Sequence, residues 1–237
     1  MSAGVNFSDH NFDWRDLMLR IEDAGAAGRL AADFEATYAG RSRAWTADFG
    51  ELAIHSLDGR DNPAAFRPLV ALIEAAAREI VVVSPYLTFP FVGELERAAA
   101  RGVKIQLITP RDNNKRLVRD YLLTAAARAG FDVRLTPGMS HLKAMLVDGG
   151  RLVLGSSNFD FVSYHAEEEI VAVVSNEALI EEFRRTVVAP ALAQALPAAD
   201  HAPTPREAAA GTAALRIAEW FVRTNRNARR TATPWPG

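Results

Sequence analysis

Six residues in one short stretch have the types and spacing that phosphodiester chemistry needs. His141, Lys143, Asp148, Gly155, Ser156 and Asn158 fit the pattern H-x-K-x4-D-x6-G-S-x-N without a gap. Residues two apart on a strand face the same side, so the imidazole of His141 and the ammonium of Lys143 are expected to project together as a phosphate pocket. A hairpin turning at Asp148-Gly149-Gly150 would bring the Ser156 hydroxyl and the Asn158 amide back beside them as neutral partners for phosphate oxygens. Histidine, with a free pKa of about 6.5, attacks when neutral and donates a proton when charged. Lysine adds a fixed positive charge. Because phosphoryl transfer is mostly positioning and charge stabilisation, a lysine with amide donors can do the work of a metal, and no cofactor is expected. An acidic residue must hold the imidazole in one tautomer, and Glu168 or Glu169 is the candidate. An H-x-K strand alone is more often an ordinary surface strand, and Gly-Ser-Ser-Asn alone is more often a turn. The two together, in this order and joined by Asp148-Gly149, are what point to a site.

The elements around this stretch read as alternating helices and strands. Pro68 to Arg78 has helical apolar spacing, and Glu79-Ile-Val-Val-Val-Ser-Pro-Tyr86 reads as a buried strand ending in a turn. Gly93 to Arg101 is expected to be helical, Val103 to Thr109 a strand, and Leu117 to Ala129 a helix closed by Gly130. Phe131 to Leu135 is a short strand, His141 to Val147 and Arg151 to Leu154 are the arms of the hairpin, Glu169 to Ser175 is a further strand and Glu177 to Thr186 a helix. Such alternation predicts an α/β fold, an α/β/α sandwich around a mixed sheet. After Pro190 the composition turns to Ala, Pro and small polar residues, which reads as a linker over 191–210. A basic tail helix over 211–237 carries Leu215-Arg-Ile-Ala-Glu-Trp-Phe-Val-Arg223 and then Arg226, Arg229 and Arg230. That helix either packs on its own domain or lies on a membrane surface.

Composition narrows the partners. The 237 residues are 49% apolar and 24% charged, which supports a real core, and the formal net charge of -2 offers no global basic field for nucleic acid. Positive charge is nearly all arginine, the lysines being Lys104, Lys115 and Lys143 alone, so a lysine at 143 stands out. With no cysteine, disulfides and thiolate chemistry are ruled out. No apolar run approaches the roughly 18 to 20 residues of a membrane span, and the N-terminus lacks the pattern of a secretory signal. A cytoplasmic protein is expected.

The first 50 residues resemble a later segment of the same chain. Asn6-Phe-Ser-Asp9, Trp14-Arg-Asp-Leu-Met-Leu-Arg-Ile21 and Ala31-Ala-Asp-Phe34 follow one another as do Asn158-Phe-Asp160, Glu168-Glu-Ile-Val-Ala-Val-Val174 and Ile180-Glu-Glu-Phe183. This reads as a degenerate internal repeat whose first copy begins in its middle. Chance similarity between two strand-helix pairs is the competing explanation.

With these motifs in hand, residues 62–190 resemble one half of a phospholipase D superfamily enzyme, the group with the HKD motif, and are most similar to the C-terminal half of bacterial cardiolipin synthases. Ser84-Pro-Tyr86 with Pro90, Arg101-Gly-Val103 and Arg111-Asp-Asn-Asn114 are similar to that subgroup. Ala3-Gly-Val-Asn-Phe-Ser-Asp9 with Trp14-Arg-Asp16 resembles the segment downstream of the first motif, where Gly-Gly-x-Asn is usual and Ala3 departs from it. The resemblance implies two similar halves meeting at one active site, with one histidine forming a phosphohistidine and the other protonating the leaving alcohol. His141, Lys143, Asp148 and Glu169 then match the catalytic residues of the second motif. Ser156 and Asn158 match its substrate-binding residues, and Gly4 and Asn6 match the tail of the first motif. His10 lacks a lysine two residues on and matches nothing. The expected organisation is a first-half remnant over 1–50, a complete domain over 62–190, the linker and the tail helix.

Three functions are therefore in play. The leading one is a cardiolipin synthase-like phosphatidyltransferase acting on a phospholipid such as phosphatidylglycerol, truncated so that an upstream in-frame H-x-K-x4-D is expected. It would be peripheral at the inner membrane face and would need a complementing half. The second is a single-motif phosphodiesterase or nuclease built as a homodimer, with two copies of His141 facing across a two-fold axis. The third is a phosphate-binding scaffold without catalysis. In two-half members the second-motif histidine is commonly the acid, which leaves open whether His141 attacks or protonates.

Overall fold

Aliphatic residues on both sides of each central strand make a sheet that must be covered on both faces. In the computed structural model, which describes residues 2–3, 13–198 and 203–230, that is the arrangement found. A short antiparallel pair, β1 (Ser2–Ala3) with β2 (Leu17–Met18), is followed by helix α1 (Ala24–Tyr38) and the hairpin β3 (Trp45–Asp48) and β4 (Leu52–Asp58). Helices α2 (Asn62–Ala65) and α3 (Arg67–Ala75) lead into β5 (Glu79–Val83), α4 (Phe91–Ala100), β6 (Lys104–Pro110), α5 (Arg116–Ala129) and β7 (Asp132–Thr136). The hairpin β8 (Ala144–Val147) and β9 (Arg151–Gly155) comes next, then α6 (Phe161–His165), β10 (Glu168–Val174) and α7 (Glu177–Phe183). A π-helical turn over Arg184–Val188, α8 (Ala189–Gln194), β11 (Leu196–Pro197) and α9 (Pro205–Arg230) complete the described chain.

Nine strands form one mixed sheet in the order β11-β7-β6-β5-β8-β9-β10-β4-β3. Strands β5, β6 and β7 run parallel, as crossovers through α4 and α5 require, while β8, β9, β10, β4 and β3 pair antiparallel. Side chains alternate between the two faces. Ile80, Val82, Met145, Val147 and Val153 join Phe66, Leu69, Ile73, Phe91, Leu95 and Leu122 in one core. Val81, Val83, Ala144, Leu146, Leu152 and Leu154 join Ile180 and Phe183 in the other. This is the expected α/β/α sandwich, and Gly130 closes α5 in the left-handed conformation at φ 74°. Among the described residues no helix is long and apolar enough to cross a membrane.

The structure redraws three expectations. Strand β4 pairs along its whole length with β10, so the 62–190 sheet extends backward through β3 and β4, and a boundary at residue 50 would cut a hairpin in two. The expected linker over 191–210 contains the end of α8, strand β11 on the edge beside β7, and the first turns of α9. The Ala and Pro composition read as a linker, yet alanine is the best helix former, and Pro205 sits in a first turn, where a missing N–H costs nothing. The segment expected as strand from His141 becomes strand only at Ala144, so His141 and Lys143 lie just before it. The alternation survives there nonetheless, since Leu142 packs with Ala144 and Leu146 in one core, which leaves Lys143 directed to the opposite side with Met145.

Candidate active site

The site gathers where β5 and β6 end and the β8–β9 hairpin begins. Asp16 from the N-terminal segment reaches His141, with Oδ2 lying 3.3 Å from Nδ1. Its backbone holds it there: Arg15 N donates to Met139 O at 3.2 Å, His141 N donates to Arg15 O at 2.8 Å, and Arg15 pairs with Gln194 of α8 through a 2.7 Å hydrogen bond. The rings of Trp14 and Tyr86 stand 5.6 and 6.3 Å from the imidazole, centroid to centroid. The repeat carries the signal for Asp16, because laying Leu17-Met18-Leu19 on Ile170-Val171-Ala172 places Asp16 on Glu169.

Lys143 is 3% exposed, and its Nζ donates to the carbonyl of His141 at 2.5 Å. Burial pulls its pKa down to about 8, against the opposing pull of Asp16, Glu169 and Asp160, with Lys115 adding repulsion. It therefore keeps its charge at neutral pH. Lys115 is the second lysine here: its Nζ lies 4.1 Å from the centroid of the Tyr86 ring, whose hydroxyl donates to Asn114 Oδ1 at 2.6 Å.

Across the hairpin, Ser156 Oγ donates to Glu169 Oε2 and accepts from Ile170 N at 3.1 Å. Ser163 Oγ lies between Glu169 Oε1 at 3.1 Å and Glu167 Oε2 at 2.7 Å. One hydroxyl proton cannot serve two carboxylates at once. Burial raises Glu169 to about 7, helped by the neighbouring Glu167 and resisted by the two serine hydrogen bonds. Among the described residues, Oδ1 of Asn158 and Oγ of Ser140 are buried without a hydrogen-bond partner. The loop after Asn158 is fixed by Asp160, which caps α6 by accepting from Val162 N and Ser163 N at 3.0 Å each; burial lifts its pKa to about 6.

Asp148 is not part of this cluster. It sits at the far end of β8 with φ 49°, its carboxylate accepting from Ala77 N, Arg78 N and Glu79 N at 2.8, 2.8 and 3.0 Å. Burial pushes its pKa up, but these bonds and the Arg78 charge together outweigh it and hold it below the usual aspartate range, and it ties the hairpin turn to the start of β5. Its place in the motif is thus structural, a correction to its expected catalytic role. Gly4 and Asn6 lie outside the described residues.

Gly155 has a steric reason for its place. A Cβ there would lie 2.2 Å from the Ile170 carbonyl, because β9 and β10 close tightly at that point. Gly155→Ala is expected to cost about 3 kcal/mol of unfolding free energy, read by urea denaturation, since neither backbone can yield without breaking the ladder. An unchanged midpoint would show that the strands part freely.

This mixed sheet, covered on both faces and carrying an imidazole and a buried ammonium beside its central strands, has the phospholipase D fold of the structures it superposes on. Over 62% of this chain and 96% of the other, it superposes on a phospholipase D family member, Nuc, from Salmonella typhimurium, with a TM-score of 0.55 at 20% identity. Over 88% of this chain and 56% of the other, it superposes on the phosphatidylserine synthase of Haemophilus influenzae Rd KW20, with a TM-score of 0.56 at 14% identity. Residues 69–188 match the family described as cardiolipin synthase, PLD-like domain, and the chain belongs to that family. Cardiolipin synthase A of Proteus mirabilis (strain HI4320) is 32% identical over 120 residues, 48% of this chain and 25% of the relative. The minor cardiolipin synthase of Bacillus subtilis (strain 168) is 27% identical over 139 residues, 56% of this chain and 35% of the relative. The chain thus spans a quarter to about a third of the length of these relatives.

Proposed function

We propose that this chain supplies the second half of a phospholipase D-type phosphatidyltransferase, cardiolipin synthase-like, acting on a phospholipid such as phosphatidylglycerol. The observation that carries the reading is the contact of Asp16 with His141. A carboxylate from the first copy of the repeat orients the histidine of the second. By the same two-fold logic, Glu169 of the second copy would orient a histidine of the first. In this reading the other half's imidazole attacks phosphorus, and the leaving alcohol takes its proton from His141. The acceptor alcohol then attacks the phosphohistidine and returns a proton to His141. Lys143 and the Asn158 amide hold the phosphate oxygens throughout.

Homodimerisation around two copies of His141 is the weaker reading. A partner copy would have to bring its Glu169 to the Nδ1 side of His141, where Asp16 of the same chain already lies. The test mixes the purified chain with a first-half protein carrying H-x-K-x4-D and measures transfer from phosphatidylglycerol. Transfer by the mixture, with none by either part alone, is the expected result. A mixture that associates yet leaves phosphatidylglycerol and a simple bis-phosphodiester untouched would overturn the proposal, and turnover by the chain alone as a dimer would favour the second reading.

A further inference from the structure

Behind Asp16 lies a cavity of about 310 Å3 that no step of the proposed transfer uses. Small-molecule sites range from roughly 300 to 1,000 Å3, so it is large enough for a small ligand. Its floor is aliphatic: Val83 and Ile108 toward the ends of β5 and β6, Leu142 just before β8, and Ala191 of α8 are all buried. Leu142 packs in the core opposite to the side that Lys143 faces, so this floor and the phosphate pocket lie on different sides of that segment. One wall comes from Thr186 and Val187 of the π-helical turn between α7 and α8. Turns of this kind are rare and are found often at functional sites.

Three polar residues of the lining are neighbours. Arg15 pairs with Ser140 across a parallel bridge, and its guanidinium donates to Gln194 Oε1 at 2.7 Å. Ser140 is 7% exposed, and its Oγ has no hydrogen-bond partner among the described residues. Arg15 is exposed and forms no ion pair among them. Water could satisfy the hydroxyl, but it would wet the aliphatic floor and leave the guanidinium without a counter-charge. We propose that the cavity binds an aliphatic carboxylate or phosphate monoester, its anionic head on Arg15 and Ser140 and its chain on the floor. A guanidinium fork beside a hydroxyl suits either head through charge-assisted hydrogen bonds. Asp16 lines the same cavity and meets His141 at 3.3 Å, so the occupant bears on the imidazole through the residue that orients it. Only that consequence rests on the proposed function, and the binding does not.

The test is calorimetric titration of the full chain with octanoate, octyl phosphate and octanol. At least one of the two anions is expected to bind with a Kd of roughly a millimolar or less, and whichever binds tighter names the head. Octanol, with the same chain and no charge, should bind roughly tenfold more weakly. Arg15→Gln should remove that difference, and Ala191→Phe, which fills the floor, should remove binding of the anion altogether. Thermal melting checks that the variants are folded, and if Ala191→Phe is not, Arg15→Gln on an exposed side chain decides alone. Anion binding that neither variant weakens would overturn the inference. So would octanol binding as tightly as the anions, or no binding of either anion, since the cavity would then take only water. Nitrogen NMR of the His141 ring during the titration should show a shift that saturates with the same affinity, and binding without that shift would overturn the link to the imidazole. None of these readouts needs turnover, so a chain that binds octanoate but fails in the complementation assay sinks the catalytic proposal alone, and transfer by a chain that binds neither anion sinks this one alone.

Discussion

Lys143→Met is expected to abolish phosphatidyl transfer in the complemented enzyme while making the chain more stable. The loss should be roughly a thousandfold or more, because in the proposed mechanism this ammonium holds the phosphate oxygens and methionine offers no donor. The gain follows from the direction of the pKa shift. Lys143 falls from 10.5 to about 8 because burial disfavours its charged form. Below pH 8 the folded chain therefore carries a desolvated ammonium that the unfolded chain does not. The group's stabilising contribution is complete only above 10.5 and is lost as pH drops through about 8. The penalty near neutral pH is about 3 kcal/mol at most, and methionine, close in length and apolar, removes it. The surrounding carboxylates set a limit on the gain, since Glu169 and Asp160 lose a nearby cation and their own burial becomes costlier. Urea denaturation of both proteins at pH 7 and near pH 10.5 reads the effect, with an advantage for the variant that shrinks as pH rises. A variant less stable at pH 7 would mean that attraction to Asp16, Glu169 and Asp160 outweighs desolvation, and Lys143 would then be a stabilising residue. Transfer by the wild type should fall as pH rises through about 8, for the same proton.

The parts of this site that were legible in the sequence are those made by neighbours along the chain. One tight hairpin carries the chain from His141 and Lys143 back toward Ser156 and Asn158, and it is written in Asp148-Gly149-Gly150 between two aliphatic runs. The spacing of letters does not say which end of a strand a residue serves, and so Asp148 reads as catalytic until its carboxylate is found on three backbone amides at the start of β5. Contacts between distant segments were least visible. Asp16 and His141 are 125 residues apart, and β4 reaches β10 across more than a hundred. Only the internal repeat carries information over that distance. It marks Asp16 as the counterpart of Glu169, and the two carboxylates have different partners in the structure, since Asp16 meets His141 whereas Glu169 is held by Ser156 and Ser163. Lys115 was noticeable only as a rare lysine, since nothing in its own neighbourhood reveals that Tyr86, 29 positions earlier, lies beneath it.

That difference between two matched carboxylates leads to the second large effect, expected from Asp16→Asn. Aspartate can only accept, so it fixes the proton of His141 on Nδ1 and leaves Nε2 to face the substrate. Asparagine of the same shape can turn its NH2 toward Nδ1 and so favour the opposite tautomer, with the proton on the side where the leaving alcohol or acceptor must exchange it. It also removes the negative charge that stabilises the imidazolium formed during transfer. A fall of roughly a hundred- to ten-thousandfold in kcat, with KM little changed, is expected, because the phosphate is still held by Lys143 and the Asn158 amide. Nitrogen NMR of the His141 ring separates this from a merely structural defect: the wild type should show the proton on Nδ1 and the variant should show it on Nε2, at unchanged melting temperature. Asp16→Glu, which keeps the charge and can reach the same nitrogen, should recover part of the rate. An Asp16→Asn variant that keeps full activity, or one that loses activity with its ring tautomer unchanged, would take Asp16 out of the mechanism. The crosswise orientation of one half's histidine by the other half's acid would then have no support in this chain.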